Sequence, residues 1–149
     1  MADSPFESPD AVEDAFYRAF ANTDLGGMAR VWSGGDEARC IHPGGDLLTG
    51  PAAVLQSWRQ IFSAAVAPTV RYRLLHRAAA GDLSIHLVEE RIGPGDASDA
   101  QLTRVLATNI YRRTPNGWRM VLHHATLPLT EERGGHPRAD GAADADRLH

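Results

Sequence analysis

The chain is expected to fold as an α+β domain, with three helices packed on one face of a strongly curved antiparallel sheet. Two observations lead there. Apolar residues recur at helical spacing up to about residue 65 and at strand spacing from residue 69 to 127. Helices come first as a run and strands follow as a run, the order that marks α+β rather than α/β.

Residues 9–22 read as the first helix, with Ser8 as its cap and Pro9 as its first residue. Val12, Ala15, Phe16, Ala19 and Phe20 make one apolar stripe, and Tyr17 flanks it. Asp24 can cap a second, shorter helix that carries Leu25, Met28 and Trp32 on one side. Residues 37–42 form a short strand that ends at His42, because Pro43 has no N–H to continue a ladder and Gly44-Gly45 permit a sharp exit. Pro51 starts a third helix running to about residue 65, with Val54, Trp58, Ile61 and Ala65 inward and Gln56, Arg59 and Gln60 outward.

Strands follow. Residues 69–79 put Val70, Tyr72, Leu74 and His76 on one face and Arg71, Arg73 and Arg77 on the other. Gly81-Asp82 turns the chain into residues 83–92, where Ser84, His86, Val88 and Glu90 oppose Leu83, Ile85 and Leu87. Residues 102–113 carry Val105, Ala107, Asn109 and Tyr111 on one side and Leu106, Thr108 and Ile110 on the other. The last strand, 118–127, sets Trp118, Met120, Leu122 and His124 against Val121, His123 and Ala125. This divides the chain into an N-terminal extension (1–8), a domain (9–129) and a tail (130–149), whose low apolar content suggests disorder.

With 149 residues the chain suits one domain, and a net charge of -4 gives no basic footprint for nucleic acid. No run is long and apolar enough for a bilayer, so no membrane is expected as a partner. The N-terminus lacks the regions of a signal peptide, and the lone Cys40 can form no internal disulfide, so the cytoplasm is the expected location. The seven histidines show no ligand-spaced cluster, so no metal is expected.

Four features carry a family resemblance. The first helix ends in Phe20-Ala21-Asn22-Thr23-Asp24-Leu25, and Trp32 precedes the first strand. His42-Pro43 is followed by Gly50, and Asn109-Ile110-Tyr111-Arg112-Arg113 leads to Gly117-Trp118 and to His123-His124. Together, over residues 9–127, they resemble the nuclear transport factor 2-like superfamily, in its SnoaL-like and ketosteroid isomerase-like branch. The resemblance implies a cone, in which the sheet curls around an apolar pocket closed by the helices. Ketosteroid isomerases hold an aspartate base where His42 stands, an oxyanion-supporting acid where Asn109 stands, and a first-helix tyrosine best matched by Phe16, with Tyr17 one residue off. Steroid isomerisation itself is therefore not expected. The closing stretch also resembles the calcium/calmodulin-dependent kinase II association domain, whose pocket histidine matches His124 and whose pocket arginines match Glu90 and Asn109.

These residues suggest acid–base chemistry on a small apolar carbonyl compound, as in a cofactor-independent isomerase, cyclase or dehydratase. His42 would be the base, Glu90 a proton shuttle with His86, and Asn109 an oxyanion donor. Tyr17, Trp32, Trp58, Ala107 and His124 would line the ligand site. Plainer readings stay open: His42 as a strand cap, Trp32 and Trp58 as core, Glu89-Glu90 as a solvated strand end, and Asn109 as a partner for backbone. The alternative function is a non-catalytic ligand-binding or association module. The two sheet faces are both partly apolar, so a homodimer through the outer face, built on Leu83, Ile85, Leu87, Leu106 and Ile110, is also expected.

Overall fold

The computed structural model describes residues 5–129; the expected tail lies outside them. The elements run α1 (Pro9–Asn22), α2 (Leu25–Val31), β1 (Arg39–Ile41), β2 (Leu48–Thr49), α3 (Pro51–Ile61), β3 (Thr69–Ala80), β4 (Leu83–Gly93), β5 (Thr103–Thr114) and β6 (Gly117–Thr126). The six strands form one sheet in the order β2-β1-β6-β5-β4-β3. No helix among the described residues is long and apolar enough to cross a membrane.

Local chemistry explains the boundaries. Ser8 Oγ accepts from the Ala11 amide and Pro9 needs no partner for a missing N–H, so α1 starts there. Thr23 adopts a left-handed conformation at its end (φ 49°), and Asp24 then caps α2 by accepting from Gly27 N at 3.0 Å. The third helix stops at Ile61, short of residue 65, so Ile61 and Ala65 stay exposed instead of extending the inner stripe.

β3, β4, β5 and β6 form an antiparallel meander, with tight hairpins at Gly81-Asp82 and Pro115-Asn116 and a longer loop, 94–102, between β4 and β5. Gly81 supplies the positive φ (59°) that the first turn requires. The sheet is mixed rather than wholly antiparallel, because β1 runs parallel to β6, Cys40 lying opposite His123. The N-terminal segment is not wholly separate either: Phe6 bridges to Gly117 and packs on the core.

Two bulges correct the expected strand faces. In β3 the register skips Leu75, so Arg77 turns inward toward α1, where it meets Asp10, and His76 turns outward. In β6 the register skips Val121, so Met120, His123 and Ala125 share the buried face while Leu122 and His124 point the other way. The inner face elsewhere is Ser84, His86, Val88 and Glu90 on β4, with Val105, Ala107, Asn109 and Tyr111 on β5. Leu83, Ile85, Leu87, Leu106 and Ile110 therefore face away from the helices.

The core lies inside the curved sheet. Val12, Phe16 and Phe20 of α1, Met28 and Val31 of α2, and Val54 and Trp58 of α3 meet Tyr111 and Met120 in one buried cluster. Trp58 is its hub, with Phe16 at 5.5 Å and Phe20 at 5.0 Å between ring centres, both edge-on. A smaller cluster of Val105, Ala107 and Ala125 fills the far end.

Candidate functional site

Four elements converge on a buried hydrogen-bonded chain of side chains. Tyr17 projects from α1 and donates its hydroxyl to Glu90 Oε2 of β4 at 2.5 Å. Asn109 of β5 donates its amide to Tyr17 Oη at 2.9 Å. His123 of β6 donates from Nδ1 to Asn109 Oδ1 at 2.6 Å. The sheet register makes this possible, since Asn109 lies directly opposite both His123 and His86 on the neighbouring strands. All four side chains are at most 3 % exposed, so every donor and acceptor in the chain is held away from water.

Burial also sets the charges. The Glu90 carboxyl is raised to about 7 by desolvation, against a smaller pull downward from the Tyr17 hydroxyl. Desolvation, helped by the neighbouring His42 and His124, lowers His123 to about 3, so its imidazole is neutral at ordinary pH. With the proton on Nδ1, Nε2 carries the lone pair. Burial pushes the Tyr17 phenol well above its usual range, with the Glu90 charge adding to it.

His42 stands nearby, its ring 6.3 Å from that of His123, and both rest on Trp58. Ser57 gives its only hydroxyl proton to the Val54 carbonyl at 2.6 Å, so it can only accept from His42 Nε2, at 2.9 Å. Cys40 Sγ lies 3.6 Å from the same nitrogen. The His42 proton is thus fixed on Nε2, and Nδ1 presents a lone pair with no protein partner among the described residues. Burial lowers the His42 pKa, which keeps it in the form that can take a proton. His42 is not tied to backbone at both nitrogens, as a plain strand cap would be.

Other expected site residues sit elsewhere. His86 shares the inner face with Glu90 but does not pair with it. Its Nδ1 meets Glu13 Oε2 at 2.9 Å and its Nε2 meets Ser84 Oγ at 3.0 Å. Asp10, Glu13 and His86 bring ligand-type atoms within 4.8 Å of one another, yet each is already engaged, Asp10 by Arg77. His124 points out of the cone because of the bulge at Val121. There it lines an outer-face cavity of about 320 Å³ with Leu75, Leu87, Leu106 and Thr126. Trp32 and Trp58 belong to the packed cluster, 4 % and 1 % exposed, and none of the cavities described is lined by either. Ala107 lies on the inner face in the smaller cluster. Asn109 has its amide engaged at both ends, so it couples Tyr17 to His123.

Two members of this arrangement escaped sequence reasoning. His123 was hidden by the bulge. Glu13 was legible, for it falls in helical step with Phe16, Tyr17 and Phe20, and an acid on that face needs a buried partner. Two buried indole N–H groups, Trp32 Nε1 and Trp58 Nε1, and the Tyr111 hydroxyl have no hydrogen-bond partner among the described residues. Such atoms call for an explanation, a bound water or ligand oxygen included.

Comparisons with known proteins agree with this architecture. The chain is 41% identical, with a TM-score of 0.79, to a candidate calcium/calmodulin-dependent protein kinase type II association domain from Thiobacillus denitrificans, over 85% of this chain and 99% of that one. A candidate dehydratase of the NTF2-like family from Streptomyces avermitilis is 28% identical at a TM-score of 0.69, over 80% and 94% of the two chains. Among curated proteins, the F-box protein SKIP8 of Arabidopsis thaliana is 29% identical over 128 residues, 83% of this chain. The match spans about half of that relative's length, 51%. The family model for the SnoaL-like domain matches residues 10–130. The chain belongs to the SnoaL-like domain family, within the NTF2-like superfamily.

Proposed function

We propose that this SnoaL-like protein performs proton-transfer chemistry on a small, neutral, largely apolar carbonyl compound, without a cofactor, where His42, Trp58 and His123 meet. The observation that carries the reading is the buried chain Glu90–Tyr17–Asn109–His123, which ends in a carboxyl that exchanges its proton near neutral pH. A buried acid raised toward neutral pH within a network of this kind marks a candidate site for acid–base chemistry. In this reading His42 Nδ1 removes a proton from the carbon beside the carbonyl. Trp58 Nε1–H, buried and unpartnered, supplies a hydrogen bond to the carbonyl oxygen as charge develops on it. His42 returns the proton at the end of the step, and the chain from Glu90 through Tyr17 and Asn109 fixes the orientation of His123. Both imidazoles are neutral, so they offer no counter-charge to an anionic ligand. The unpaired Cys40 fits a reducing cytoplasm.

The test is exchange of α-hydrogens for deuterium in a panel of neutral cyclic ketones and enones, followed by NMR with the histidine ring signals as a second readout. Exchange above the buffer rate that disappears in His42→Asn supports the reading. Buffer-rate exchange with unmoved His42 and His123 signals sinks it. That outcome would favour the second reading, a non-catalytic association module, which the likeness to the kinase association domain supports.

A further inference from the structure

The outer face of the sheet carries an arginine cluster that the interior chemistry does not use. β3 is an edge strand, paired with β4 on one side and, among the described residues, with nothing on the other. Arg71 of β3 lies opposite Arg91 of β4, and Arg91 lies opposite Arg104 of β5. In the next row Arg73 lies opposite Glu89. Like charges directly opposite one another destabilise a sheet. A single buried carboxylate answers most of them: Glu89 is 2.6 Å from Arg104 Nε, 3.2 Å from Arg73 and 3.5 Å from Arg91. Among the described residues Arg71 pairs with the exposed Asp99, at 2.7 Å. A depression of about 210 Å³ is lined by Arg71, Tyr72, Arg73, Glu89 and Arg91.

Edge arginines alone have a simple explanation, since charge keeps one sheet from pairing with another. That accounts for Arg71 and Arg73 but not for Arg91 and Arg104, which lie on interior strands. The surplus positive charge is also spread over two rows and three strands, which fits repeated carboxylates better than one phosphate. On the inner side of the same edge, Tyr72 is 36% exposed and stacks on Tyr17 at 4.2 Å.

We propose that the β3 edge is a docking site for an extended acidic peptide segment, which adds as a further strand with carboxylates at alternate positions against Arg71 and Arg73 and an apolar residue between them over Tyr72. The spacing follows from strand geometry. Alternate residues of any strand stand about 6.7 Å apart on one face, so acids two positions apart repeat at the spacing of Arg71 and Arg73. Backbone hydrogen bonds to the open edge provide binding that does not depend on side chains, and the arginine rows select the side chains.

The experiment uses two fluorescent peptides of identical composition, one with acids alternating around a leucine and one with the acids adjacent. Fluorescence anisotropy with the full chain at 150 mM salt is expected to show the alternating peptide binding at least about tenfold more tightly. R71E/R73E should abolish that binding with an unchanged thermal midpoint, and R71Q should weaken it if the double variant folds poorly. Methylating the peptide backbone amides that face β3 should also abolish it. Equal binding of the two peptides, binding that survives charge reversal or amide methylation, or no binding by either peptide would overturn the proposal. The first of these outcomes would indicate a diffuse attraction for anions.

Discussion

Tyr17 and Glu90, 73 positions apart in the chain, share a buried 2.5 Å hydrogen bond that joins the first helix to the second long strand. The phenol thereby links the acid at one end of the buried chain to the amide and imidazole at the other. Tyr17→Phe removes it while keeping the ring that stacks on Tyr72. The variant should lose about 1–3 kcal/mol of stability in urea, because Glu90 and Asn109 are left with unmet groups away from water. Its Glu90 carboxyl should titrate above the present value of about 7, since the lost hydrogen bond is the influence that lowers it. Carboxyl NMR showing Glu90 unmoved would refute the assigned link.

The two ends of the buried chain make a specific prediction for stability against pH. Glu90 is raised in the fold from 4.5 to about 7, so its contribution is complete below pH 4.5 and is lost as pH rises toward 7. His123 is lowered from 6.5 to about 3, so its contribution is complete above pH 6.5 and is lost as pH falls toward 3. The two slopes oppose each other between pH 4.5 and 6.5, and their sum there is nearly flat. Glu90→Gln removes one of them. Its unfolding free energy should then climb with pH across that window, by up to about 1.4 kcal/mol per pH unit. A variant with the same pH profile as the parent would show that Glu90 does not hold its proton as described.

Those residues also show what the amino-acid order reveals and what it conceals. The helix starts are written in Ser8-Pro9, Asp24 and Pro51, and the hairpins in Gly81-Asp82 and Pro115-Asn116, so the order of elements was legible except for β2, whose two residues carry no periodicity. The inner positions of Glu90 and Asn109 followed from simple alternation. His123 did not, because one skipped residue at Val121 exchanges the faces of everything after it, and nothing local marks that bulge. Leu75 does the same to His76 and Arg77. The pairing of His86 with Glu13 depends on where α1 lies over the sheet, a long-range fact. The aromatic interior was legible as composition. Whether those rings line a void or pack on one another depends on helix placement, and here Phe16 and Phe20 meet Trp58 edge-on.

The apolar part of the outer face, beside the arginine rows, should be an interface. Leu87 is 40% and Leu75 44% exposed beside Leu106 and the cavity that His124 lines, with no helix among the described residues to cover them. We expect a homodimer burying more than about 1,000 Å² in all. Leu87→Asp should yield monomers or aggregates in sedimentation while Tyr17 and Glu90 keep their hydrogen bond. A parent chain that sediments as a monomer at micromolar concentration would exclude this assembly.

Cys40 offers a probe of the interior. Burial, with the Glu90 charge adding to it, pushes its thiol to about 12. Alkylation at pH 8 should therefore track unfolding and proceed at the rate of a free thiol only in denaturant. Rapid labelling of the folded chain would show that β1 opens locally.

The parallel contact between β1 and β6 has a consequence for how the protein is made. β1 occupies residues 39–41, yet the strand it must join is not complete until residue 126. During synthesis the three helices and β1 emerge long before their resting place exists. Phe16 and Trp58 can meet each other, but the side of them that rests on His123 stays uncovered until β6 arrives. A ribosome-bound fragment that stops short of β6 would thus present aromatic surface to chaperones, and the last strand would act as the closing step of a slow, non-local assembly.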